Sequence, residues 1–109
     1  MREAPYAWQF DARLDLERPV LHVPDDELTE ADRQAFAAMC QQVCAKIPER
    51  IKTLEQEYME RFTRLEDVEQ DAEFHELLDE MNEISGCISE LNVLYLQLEG
   101  KYLTSYVHA

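Results

Sequence analysis

Two long stretches of the chain place large apolar residues at helical spacing. In the first, Phe36, Cys40, Val43, Ile47, Ile51, Leu54, Tyr58, Phe62 and Leu65 follow one another by three or four positions. The mean step of about 3.6 keeps that face on one side of a straight helix. In the second, Phe74, Leu77, Met81, Ile84, Ile88, Leu91, Tyr95, Leu98 and Tyr102 alternate steps of three and four. That is the 3.5-residue repeat of a coiled coil, and it predicts a helix from about Val68 to Tyr102.

Local signals set the ends of these helices. Thr29 is placed to accept from first-turn amides, and Asp32 three positions on completes a weak capping box. Pro48 interrupts the first series. It lacks a backbone donor and crowds the preceding turn, at a cost of ~3 kcal/mol inside a helix. The apolar phase continues across it, so the spacing predicts either one kinked helix or two helices, 29–46 and 48–65, stacked end to end. Gly86 weakens the second helix by up to ~1 kcal/mol but does not break its phase.

Residues 1–27 lack this periodicity. Pro5, Pro19 and Pro24 punctuate them, Trp8/Phe10 and Leu14/Leu16 alternate with polar residues, and Val20 to Val23 is a short apolar run. An extended arm with one or two short strands is expected, packed onto the helices by Trp8 and Phe10. The fold class expected is therefore all-α. A long antiparallel helical hairpin over 28–109, coiled-coil-like and kinked or broken near Pro48, follows an N-terminal arm, all in one domain. A short link near Glu66–Asp67 makes the long helices antiparallel neighbours. Residues whose numbers total about 133 should then be level, which brings Cys44 near Cys87.

Two helices alone bury little. The run Leu91, Val93, Leu94, Leu96, Leu98 is apolar on more than one face, so it is read as an interface that joins two copies into a helical bundle. The alternative is that the arm covers this patch within one chain.

Charge sharpens this reading. The chain has 24 acids, 10 Lys and Arg, and a net charge of −14. Eleven of the acids lie between Leu65 and Gly100, where no Lys or Arg occurs. Glu69, Glu73, Glu76, Glu80, Glu83 and Glu90 share one face of the second helix. Residues 46–64 carry five bases against four acids, too few to neutralise the nine acids of 66–83. Lys46, Arg50, Lys52, Arg61 and Arg64 are the candidates for pairing across the hairpin, each exposed pair contributing about 0–1 kcal/mol. So acidic a chain has few groups with which to hold nucleic acid or an anionic membrane. No apolar run is long enough to span a bilayer, and no signal peptide is visible.

Catalytic signatures are absent from the sequence. Gly86 and Gly100 build no phosphate loop, and Ser85, Ser89 and Ser105 sit in no nucleophile elbow. His75 follows Ala72 rather than Glu, which excludes the Glu-x-x-His pattern of carboxylate-bridged metal bundles. It reads as a surface helix residue, and His22 and His108 are remote from it in sequence. Three cysteines in an expected cytoplasmic setting read as small buried apolar groups. A Cys44–Cys87 redox pair and a thiolate metal site are the alternatives. No cofactor or metal is expected.

The function expected is that of a non-enzymatic acidic helical protein. It would bind a basic or amphipathic protein partner, in a regulatory or chaperone-like role, by packing through the Leu91–Leu98 surface while Glu69, Glu73, Glu76, Glu80 and Glu83 steer the partner, and form a homodimer. The alternatives are a mimic of nucleic-acid charge that blocks a DNA- or RNA-binding protein, and a self-assembling structural coiled coil.

Overall fold

The structure, a computed structural model, describes residues 3–103, with side chains up to Lys101. It is mostly helical (71%), with a two-stranded antiparallel sheet ahead of two long helices. Strands β1 (Tyr6–Asp11) and β2 (Leu16–Leu21) are followed by a short 3-10 turn at Asp25–Glu27. Helix α1 spans Glu30–Leu65 and α2 spans Asp71–Leu98, widening into a π-helical turn at Glu99–Leu103.

Helix α1 begins where its capping signals lie. The Thr29 hydroxyl accepts from the Asp32 amide at 3.0 Å, and the Asp32 carboxylate accepts from the Thr29 amide at 3.1 Å. Pro48 does not split the helix, which runs for 36 residues through it. Ile47 before it and Leu54 after it are both buried in the core. Burying such side chains contributes about 1.5–3 kcal/mol each, enough to offset the interruption.

Helix α2 starts three residues later than the periodicity predicts. Gln70 is an extended N-cap whose carbonyl accepts from Phe74, so residues 66–70 form the link. The buried face of α2 is also rotated. Leu77, Met81, Ile84, Cys87, Leu91, Leu94 and Leu98 are buried, while Ile88 and Tyr95 of the heptad are only partly so. Heptad spacing alone places Ile88 and Tyr95 at the seam; Cys87 and Leu94 take those places because the arm packs on their side.

The arm is a sheet in the register Tyr6↔Leu21 to Asp11↔Leu16. Its turn is locked by the Asp11 carboxylate, which accepts from the Leu14 amide at 3.0 Å, and by Asp15 at φ 55. Asp tolerates that left-handed conformation better than most residues. The turn drives Leu14 into the core beside Leu16, α1 and α2. Arg50 of α1 donates to the Leu14 carbonyl at 3.2 Å, and the Tyr6 ring lies 6.4 Å from that of Phe36. Trp8 and Phe10 do not anchor the arm, contrary to the alternation-based expectation. They are 38% and 58% exposed. Leu14 of the turn and Leu16 at the start of β2 carry that role, and β1 contributes Tyr6 at its other end.

Candidate functional site

The acidic stripe divides into a paired part and an unpaired part. Glu69 lies in the link rather than on α2, since the helix starts only at Asp71. Arg13 of the arm's turn reaches Glu83 at 2.8 Å and also pairs with Glu90. These two carboxylates hold the Arg13 guanidinium further above its already high pKa. The guanidinium passes close over Gly86, where a Cβ would stand 2.9 Å from Arg13 Nη2 and make the flexible arginine shift. Arg61 of α1 reaches Glu80 at 3.4 Å.

Among the described residues Lys46, Lys52 and Arg64 make no ion pair with α2, and Glu69, Glu73 and Glu76 have no ion-pair partner. All three of these glutamates are exposed. The surplus negative charge is thereby concentrated on the link and the first turns of α2.

Apolar side chains accompany it there. Met59 and Phe62 near the end of α1, and Phe74 in the first turn of α2, are all exposed. The periodicity of Phe62 and Phe74 assigns them to the seam, so sequence pattern alone hides them. The length of the helix reveals them. Helix α1 is ~54 Å long at 1.5 Å per residue, and an arm of fewer than 30 residues folded back as two strands covers only one end.

The apolar run of α2 resolves differently from its sequence reading. Leu91, Leu94 and Leu98 are core residues, packed with Leu14, Leu16, Phe36 and Cys40. They are not available as an interface. Val93 and Leu96 alone of the five are exposed, at 52% and 68%. Beside them a groove of about 640 Å³ runs between β2 and the end of α2, lined in part by Arg18, Pro19, Leu96 and Gln97.

The three cysteines are free and buried. Burial pushes the Cys40 thiol up to about 12, and raises Cys44 as well, with Glu99 adding to the effect. Both changes oppose the thiolate, the form that attacks disulfides or binds metal. Cys44 and Cys87 have different surroundings. Cys44 lies within electrostatic reach of Tyr95 and Glu99, whereas Cys87 Sγ is 3.6 Å from the Arg13 carbonyl. His75 is exposed and stacks edge-on against Phe74 at 5.9 Å. The His22 amide closes the open end of the sheet on Pro5, and Ser105 and His108 lie outside the described residues.

Among the described residues no group of three or more His, Cys, Asp or Glu is arranged to hold a metal ion, and no helix is long and apolar enough to cross a membrane. Comparison with protein-family models, with curated proteins and with solved structures finds no match.

Proposed function

We propose that this chain is a non-enzymatic binding protein that docks a basic, amphipathic protein segment at its link end. The observation that carries this reading is the coincidence of two features there. Glu69, Glu73 and Glu76 are exposed without an ion-pair partner among the described residues, and Met59, Phe62 and Phe74 are exposed on the helix ends beside them. Charge of one sign steers and orients a partner of the other, while buried aromatic anchors supply most of the affinity. On this reading α1 and α2 form an antiparallel hairpin whose tip is the recognition surface. The five-residue link and the Arg61–Glu80 bridge support that arrangement.

The exposed aromatics favour protein docking over pure mimicry of nucleic-acid charge, which needs carboxylates alone. A synthetic amphipathic Lys/Leu helical peptide serves as the probe, followed by fluorescence anisotropy at two salt concentrations. Binding is expected to weaken with salt and to fall at least about tenfold, the equivalent of ~1.4 kcal/mol, in the combined Glu69→Gln, Glu73→Gln, Glu76→Gln variant. A similar loss is expected for Phe74→Ser. Unchanged binding in the glutamine variant sinks the proposal. Loss there with none in Phe74→Ser favours the charge mimic.

A further inference from the structure

We propose that the open edge of β1 docks a second copy of this chain, the two β1 strands pairing antiparallel about a two-fold axis at Trp8. This surface is separate from the acidic link end and does not depend on it.

The hydrogen-bond phase of the sheet defines the edge. The His22 amide donates to the Pro5 carbonyl at 2.7 Å, which makes that pair an inward-bonded one. Inward and outward pairs alternate along an antiparallel ladder. In the observed register the inward pairs are then Ala7/Val20, Gln9/Arg18 and Asp11/Leu16. The N–H and C=O groups of Tyr6, Trp8 and Phe10 therefore point away from β2. Among the described residues the sheet has only two strands, so nothing pairs with that edge.

The two edges of the sheet are not equivalent. β2 is the strand that packs on α1. By the same alternation Pro19 turns its missing N–H outward, a common way of blunting an edge. β1 has no Pro or Lys, and its sole charged residue is Asp11 at the end. An unblunted edge with exposed aromatics invites another strand.

The pattern of the edge favours its own copy as the occupant. With Trp8 opposite Trp8 of the second copy, Tyr6 faces Phe10 and Phe10 faces Tyr6. Each of these pairs exchanges backbone hydrogen bonds and places aromatic side chains on the same face, an arrangement that stabilises cross-strand pairs. Asp11 falls opposite Pro5, so no two carboxylates are brought together. Elsewhere a chain of net charge −14 repels itself; here it meets itself along an almost uncharged strand.

An edge of this size buries less than the ~800 Å² per partner of a stable interface, so association is expected in the micromolar range or weaker. The full chain has one tryptophan, which makes Trp8 its own reporter. Sedimentation equilibrium from ~10 µM to ~1 mM should show mass rising toward a dimer, with a parallel blue shift of the Trp8 emission and slower exchange of the Trp8 amide. Trp8→Lys should weaken association at least about tenfold, although it lowers the net negative charge that opposes it. Leu96→Lys should leave association unchanged, because α2 takes no part. A mass that stays monomeric across the range overturns the proposal. So does a dimer of the unaltered chain whose Trp8 amide exchanges as fast as in the monomer, a readout that stands even if Trp8→Lys misfolds.

Discussion

The two ends of the molecule carry similar sequence patterns and meet different fates. At the arm end, Phe36, Cys40, Val43 and Ile47 of α1 face Leu91, Leu94 and Leu98 of α2, and Leu14 and Leu16 close over them. At the link end the same apolar spacing continues, yet Phe62 and Phe74 stay exposed and Met59 lies bare beside them. Leu77 and Met81 are buried there, outside the main cluster. The difference is the third layer. Helical periodicity states which side of a helix is apolar; it does not state that anything covers that side.

The sharpest way to break this comparison is to shave one apolar side chain from each end. Leu14 is almost fully buried between the helices, so Leu14→Ala removes buried methyl groups and leaves a cavity. The expected loss is about 2–5 kcal/mol in urea unfolding. Phe74→Ala should cost clearly less, about 1–2 kcal/mol, since the ring is already 39% exposed and leaves no enclosed cavity. Equal losses at the two positions would mean that the arm end is not where the stability lies.

Pro48 lies on the solvent side of α1 between the two regions, and it tests whether they fold as one unit. Pro48→Ala restores an amide that can donate to the Cys44 carbonyl one turn earlier. It also removes the clash with that turn. A gain of up to about 3 kcal/mol is expected, within a single cooperative transition. Two resolved transitions would show that the ends are separable, and a loss of stability would show that the packing around Pro48 depends on the proline ring.

Much of this contrast is legible in the sequence, and the illegible part has one physical origin. The start of α1, its apolar face and the strands of the arm follow from Thr29/Asp32, the Phe36–Leu65 series and the placement of Pro5, Pro19 and Pro24. The exchange of Ile88 and Tyr95 for Cys87 and Leu94 on the buried face of α2 does not follow. Neither does the burial of Leu91, Leu94 and Leu98 within one chain, which the apolar run presents as surplus surface. Each depends on where the arm docks, and that is set by a turn of four residues, Ala12–Asp15, rather than by any repeat. The acidic stripe is legible as a stripe. Its division into Arg13-paired and unpaired parts is not, because Arg13 and Glu83 are 70 positions apart and meet only once the arm has folded back.

That same turn gives the smallest effect and the most specific probe of the arm end. The Leu14 amide donates to the Asp11 carboxylate, and with help from Arg18 it holds the Asp11 pKa below its ordinary 3.8. A carboxyl group with a lowered folded-state pKa stabilises the fold above its unfolded value. It loses that contribution as pH falls through the folded one. Asp11 should therefore help fix the turn at about pH 7 and cease to do so well below about pH 4. Asp11→Asn keeps an oxygen acceptor for Leu14 but discards the charge. The urea midpoint of the variant should lie slightly below that of the natural chain at neutral pH, and the gap should close on acidification. A gap that is constant with pH would assign the role of Asp11 to hydrogen-bond geometry alone. A gap that widens as pH falls would reverse the sign and remove Asp11 from the devices that hold the arm against the helices.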